Sequence, residues 1–187
     1  MVDTRLGTAE LLVHEIRQSI ELPVSSCGLE ELARQPGLLA GAVGVTLPYH
    51  LDRVRLVVPD ASLQIVTIEP SHDERRAIRE VPVGAIVLLV SHSEAVLPFA
   101  AKFVTSLRGH EVLVEAHALA SRKWRRLVRA ADVVFADALS GEAVRRAGAK
   151  RVREFRLVTK QAVDRLRQAL GVAAAEHERS AASGQTT

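Results

Sequence analysis

The stretch GAIVLLVSHSEAVLPFAAKFVTSLRG, residues Gly84–Gly109, carries the strongest structural signal in the chain. Ala85 to Val90 is an uninterrupted apolar run with no polar alternation. A strand of that kind is buried on both faces, as in a parallel sheet covered by helices on either side. A polar Ser91-His92-Ser93 triplet follows it, and then a helical pattern to Arg108. Val96, Ala100, Phe103, Val104 and Leu107 share one face of that helix, and Gly109 supplies its stop. Pro98 breaks the pattern near its start, so the regular helix begins later than Glu94 or is kinked.

The same alternation extends in both directions. Downstream, strands are expected at Val112–Glu115, Asp132–Ala136 and Arg151–Phe155, with helices over Ser121–Ala130, Ser140–Ala147 and Thr159–Leu170. Upstream, Thr8 can cap a helix to Glu21 with Leu11, Leu12, Ile16 and Ile20 on one face. Short strands are expected at Pro23–Cys27, Ala42–Leu47 and Leu63–Ile68, and helices at Leu29–Arg34 and Tyr49–Val57. Ser71 with Glu74 three residues on has the spacing of a capping box, for a helix ending near Glu80. Strands alternating with helices imply βαβ units with right-handed crossovers. The two halves carry the same order of elements. Ala42–Leu47 takes the slot of Asp132–Ala136, and Leu63–Ile68 that of Arg151–Phe155. The fold class is therefore α/β, with two Rossmann-like parallel-sheet lobes. The first lobe lacks its opening strand, unless Val2–Leu6 supplies a weak edge strand. The expected boundaries are a first lobe at 1–81, a second at 82–158, a C-terminal helix at 159–172 and a disordered tail at 173–187 rich in Ala, Ser, Glu and Gln. The helix carries an apolar face of Ala162, Val163, Leu166, Ala169 and Leu170, able to cover a sheet or to pair with a second copy in a dimer.

Composition narrows the function classes. Of 187 residues, 48% are hydrophobic but only 3% aromatic, so Val, Leu, Ala and Ile must fill the core. The longest apolar run, Val81–Val90, is about half of the roughly 20 residues that span a membrane. No secretory signal core is present at Met1–Thr8, and the single Cys27 excludes an internal disulfide framework, so a cytoplasmic location is expected. The net charge is +3, and arginine dominates the basic residues. Between Arg122 and Arg156 the bases outnumber Asp132, Asp137, Glu142 and Glu154. That face is either solvated or a nucleic-acid contact. The Arg122-Lys123-Trp124-Arg125-Arg126 segment could stack on single strands, or Trp124 could pack inward with the arginines outside.

In an open parallel sheet, ligands bind beyond the carboxyl ends of the strands. Thr46, Tyr49 and His50 end one strand of the first lobe, and Glu69 ends the next. Ser91, His92 and Ser93 follow the central strand of the second lobe, and Asp137 follows its neighbour. These eight are the candidate ligand-binding residues. Four of them have a plainer alternative: Ser93 as a helix cap, like Ser71 and Ser140 outside this set, Tyr49 and His50 as a packed helix start, and Glu69 as a local cap. No HExxH, GxSxG, Walker A or post-strand GxGxxG pattern occurs. The sequence thus points to no catalytic residue, no metal and no cofactor, and Cys27 reads as a small buried hydrophobe.

The order of these segments resembles the C-terminal effector-binding region of some GntR-type transcription regulators. The resemblance rests on ELLVHEIRQSIELPV (Glu10–Val24), VGVTLPYHLDRVRLVVPD (Val43–Asp60), IVTIEPSHDERRAI (Ile65–Ile78), Gly84–Gly109 and AADVVFADALSGEAVRRAG (Ala130–Gly148). It implies a two-lobed module like the type 1 periplasmic binding proteins. A small-molecule effector would lie in the inter-lobe cleft, lined by Thr46, Tyr49, His50, Glu69, Ser91, His92 and Asp137. It also implies that DNA is reached only through an absent or separate winged helix-turn-helix, so that either the chain is a fragment of a longer regulator or the module works alone. Two other functions remain open on the residues alone. One is a small transferase or isomerase using His50 or His92 as general base. The other is a basic nucleic-acid-binding module.

Overall fold

The computed structural model describes residues 1–3 and 6–183, with the backbone alone at residues 3, 6 and 172–183. Its elements run β1 (Val2–Asp3), α1 (Leu6–Arg17), β2 (Cys27–Gly28), α2 (Leu29–Arg34), β3 (Gly44–Thr46), α3 (Leu51–Val57) and β4 (Leu63–Ile65). They continue with α4 (His72–Arg79), β5 (Ile86–Ser91), α5 (Leu97–Arg108), β6 (Leu113–Ala118), α6 (Trp124–Leu127), β7 (Val133–Asp137), α7 (Gly141–Arg146), β8 (Val152–Phe155) and α8 (Lys160–Ser183). The protein is α/β with parallel sheets, as the apolar run in Gly84–Gly109 requires.

β5 is the axis of the second sheet. It lies between β6 and β7 in the order β6-β5-β7-β8, with every pair parallel. Strand periodicity divides its side chains. Val87 and Leu89, with Val133 and Phe135 of β7, face α4 and α5. Leu88 and Val90, with Val134 and Ala136, face Trp124, Val128 and Val144 on the other side. The four β5 side chains from Val87 to Val90 are at most 1% exposed. Burying each is worth about 1.5–3 kcal/mol, which makes this strand the anchor of the lobe. Pro98 causes no kink. A 3₁₀ turn over Glu94–Val96 precedes α5, and the proline sits in the first helical turn, where its missing N–H is no loss. Gly109 ends α5 at φ 57°, a conformation that a side chain disfavours.

The first sheet has the order β2-β1-β3-β4, the same topology as the second. The expectation that the first lobe lacks its opening strand is corrected here. β1 is present and is internal, pairing in parallel with both β2 and β3. It has only two residues, too few for any periodicity to register. The remainder of the expected Val2–Leu6 strand at residues 4 and 5 lies outside the described residues. α1 starts at Leu6, so Thr8 lies within the helix and does not cap it. On one face of the sheet, Val2 packs with Leu29, Leu32, Val54 and Val58 of α2 and α3. On the other, α1 packs through Leu11, Leu12 and Ile16.

Two helices lie apart from their sequence neighbours. α4 packs through Ile78 into the second lobe's core, although it precedes the 81/82 boundary expected from sequence. α8 returns to the first lobe, where Ala162, Val163 and Leu166 pack with Leu12, Ile16 and Leu47. Its apolar face therefore covers a core of its own chain. α8 runs on to Ser183, through most of the stretch expected as a tail, and residues 184–187 lie outside the described residues. Each lobe thus has one helix joined to it by a chain segment crossing from the other. The two crossing segments meet in an antiparallel bridge between Ile68 and Val158.

Candidate functional site

The polar triplet after β5 and Asp137 at the end of β7 are adjacent because β5 and β7 are paired. The Asp137 carboxylate, fully buried, is the hub of the cluster. Its Oδ2 accepts from Ser91 Oγ at 2.7 Å and from the His92 N–H at 2.6 Å. Its Oδ1 accepts from the N–H groups of Leu139 at 3.1 Å and Ser140 at 2.8 Å. Four donors satisfy a buried charge that would otherwise be costly. The Ser91 hydroxyl, donating to Asp137, also accepts from the Ser93 N–H at 3.1 Å. Asp137, Ser91 and the backbone of residues 92–93 therefore hold the strand ends in one conformation.

From this knot two side chains reach the first lobe. Ser93 Oγ lies 2.8 Å from Thr8 Oγ1, both buried. His92 Nε2 lies 2.7 Å from Glu10 Oε2 at a more open position. A carboxylate only accepts, so the imidazole carries its proton on Nε2 in this contact. The first turn of α1 thereby sits across the carboxyl ends of the second sheet.

The candidates of the first lobe are placed differently. Thr46 is fully buried and donates through Oγ1 to the Val2 carbonyl at 3.2 Å, tying β3 to β1. Tyr49 and His50 lie in a 3₁₀ turn after β3 with their rings edge to face, centroids 4.4 Å apart. His50 is buried, whereas Tyr49 is 67% exposed. Glu69 is exposed beside the crossing segment. The structure joins Ser91, His92, Ser93 and Asp137 into one hydrogen-bonded cluster with Thr8 and Glu10. Of the plainer readings, Ser71 is the capping box expected, its hydroxyl accepting from Glu74 N–H at 3.2 Å. Ser140 makes no side-chain cap, and its buried hydroxyl has no hydrogen-bond partner among the described residues.

Two features escaped the sequence reading. Glu15 is 2% exposed on the core face of α1. Its carboxylate accepts from the N–H groups of Leu157, at 2.9 Å to the nearer oxygen, and Val158, at 2.8 Å. These donors lie in the crossing segment that leads to α8. Burial pushes the Glu15 pKa up to about 7, against the pull of those two N–H groups and of Arg156. The signal was an acid set into the Leu11, Leu12, Ile16 stripe. The second feature is an apolar cavity between α4, α5 and the second sheet, bordered by both crossing segments. None of the eight candidates lines it.

Trp124 is wholly buried and its Nε1–H donates to the Leu119 carbonyl at 3.0 Å. The neighbouring Arg122, Lys123, Arg125 and Arg126 are exposed. The ring is thus unavailable as a platform for stacking bases. Burial also pushes the Cys27 thiol above its usual range, away from a reactive thiolate. Among the described residues no helix is long and apolar enough to cross a membrane.

Residues 73–163 match the family model for the Cyanobacterial PlmA-type GntR regulator, C-terminal domain. The PlmA-type match begins in α4, spans the whole second sheet and ends in the first turn of α8. Its limits follow the packing, since α4 belongs to the core of the second lobe. The match supports a C-terminal region of a GntR-type regulator, and with it a regulatory domain. No curated protein and no solved structure was found to match the chain.

Proposed function

We propose that this chain is the effector-sensing part of a transcription regulator. Its two lobes would be arranged in the manner of type 1 periplasmic binding proteins and would report ligand by moving about the crossing segments. The observation that carries the reading is the contact across the strand ends. Two lobes of like topology are joined by the Ile68–Val158 bridge and touch through Glu10–His92 and Thr8–Ser93. The PlmA-type match over the second lobe supports a regulatory role for this arrangement. DNA would be engaged by a separate domain.

A small polar metabolite at this mouth would compete with Glu10 for His92, and Tyr49, His50 and Glu69 would meet it from the first lobe. Thr46, Ser91, Ser93 and Asp137 would serve behind them by fixing the strand ends. The ligand moves the lobes only through its differential affinity for the two arrangements. The exposed Glu10–His92 contact suits such a switch, because a solvent-exposed hydrogen bond contributes only about 1 kcal/mol and a ligand can replace it. Native mass spectrometry of the purified chain, followed by a thermal-shift screen of polar metabolites, tests the reading. A metabolite that raises Tm in the wild type but not in His92→Ala supports it. A broad screen in which nothing shifts Tm refutes it.

A further inference from the structure

The chain has four phenylalanines, and all four, Phe99, Phe103, Phe135 and Phe155, line the cavity between α4, α5 and the second sheet. Aromatic residues are only 3% of the chain, so their concentration at one place is a feature of the fold and not of the composition. Phe135 and Phe155 come from β7 and β8, and Phe99 and Phe103 from one face of α5. The cavity is narrow inside, about 50 Å³, and opens to a mouth that brings its empty space to about 480 Å³. Phe99 stands at that mouth, 48% exposed, an unusual position for so large an apolar side chain unless something covers it.

Charge at the rim selects the ligand. Glu74 and Arg156 are the two charged residues of the lining. The Glu74 carboxylate is already engaged by two backbone donors, the N–H of Ser71 on Oε2 and the N–H of Arg156 on Oε1, each at 2.6 Å. Among the described residues the Arg156 guanidinium makes one hydrogen bond, 3.4 Å to Gln18 Oε1, and it also feels the charge of the Glu15 carboxylate. A second cation, Arg75, lies over the Phe103 ring at 5.1 Å. An apolar, aromatic interior with the Arg156 guanidinium at its edge complements a ring bearing a carboxylate.

We propose that this cavity is a binding site for a small aromatic carboxylate, its ring among the four phenylalanines and its carboxylate on Arg156. The site is separate from the polar mouth at His92. Because Ile68 and Leu157 belong to both the cavity wall and the crossing segments, a ring inserted there presses on the joint between the lobes. The interior is too narrow for a ring to enter without displacement of α4 or α5, so binding widens it.

Phenylacetate is the probe, titrated calorimetrically into the full chain, with phenylacetamide as its uncharged counterpart. Phenylacetate should bind the wild type, and binding should weaken at least tenfold in Arg156→Gln, a surface change that leaves the core intact. Phenylacetamide should bind no better than phenylacetate does to that variant. Ala100→Phe, which fills the cavity, should abolish binding, and a thermal melt confirms that this variant is folded. Phe99→Ala serves in its place if it is not. His92→Ala should weaken phenylacetate binding much less than Arg156→Gln does, which separates this site from the mouth. The absence of phenylacetate binding to the wild type would overturn the proposal, as would equal affinity in Arg156→Gln or unchanged binding in the filled or Phe99→Ala variants.

Discussion

Replacing Glu15 by glutamine should remove a pH dependence that the fold builds into the junction of the two lobes. Glu15 carries its ordinary pKa of 4.5 in the unfolded chain and one of about 7 in the native state, where burial disfavours its charge. Between those values the native state holds more protons than the unfolded state. Stability is therefore fully enhanced below pH 4.5 and declines as pH rises toward 7, where the contribution is lost. Each pKa unit corresponds to about 1.4 kcal/mol, so the full excursion is about 3 kcal/mol. Glutamine stays neutral throughout and keeps one carbonyl oxygen for the Leu157 and Val158 N–H groups. All other titrating groups are common to both proteins, so the difference between their profiles isolates Glu15. Urea unfolding followed by circular dichroism at pH 5, 6, 7 and 8 gives that difference. The wild type should lose about 2 kcal/mol relative to Glu15→Gln between pH 5 and pH 7. Parallel profiles would refute the reasoning, since they would mean that Glu15 has the same pKa in the folded and unfolded chain. A wild type that gains on the variant as pH rises would show that the backbone donors outweigh burial and hold the carboxylate ionised.

Three further outcomes follow from the packing. Asp137→Asn turns an amide donor toward at least one of four existing donors, and should cost about 2–4 kcal/mol in denaturant unfolding without changing the fold. Ser71→Ala removes the capping hydroxyl of α4 and should cost about 1 kcal/mol, visible as a lower urea midpoint. Leu89→Ala opens a void at the centre of the second sheet, where the side chain is 1% exposed, and should cost about 2–5 kcal/mol by the same measurement.

The second lobe was legible because its strands are long enough to carry a pattern. β5 and β6 have six residues each, and β5 is buried almost throughout. In the first lobe β1 and β2 have two residues and β3 and β4 three, so turn residues and caps dominate the local sequence. Even so, the equivalence of β3 with β7 and of β4 with β8 was visible from element order. The side on which α4 and α8 would pack was not, because an amphipathic stripe says that a helix is covered but not by which lobe. The candidate site shows the same limit. Ser91, His92 and Asp137 could be listed as strand ends, but their mutual saturation is a matter of distance. Glu15 shows in the sequence only as an acid within an apolar stripe, because its partners Leu157 and Val158 lie 142 and 143 residues away.

The return of α8 to the first lobe has a consequence for synthesis. As the chain leaves the ribosome, its first half emerges with α1 and one face of the first sheet lacking their final cover, which arrives only with Ala162, Val163 and Leu166. The second half meets no such delay, since α4 through β8 form a continuous segment that holds its own two cores. The half made later is thus the first that can complete itself. The half made first must keep Leu11, Leu12 and Ile16 from other apolar partners until α8 has been made, and over that interval aggregation competes with folding.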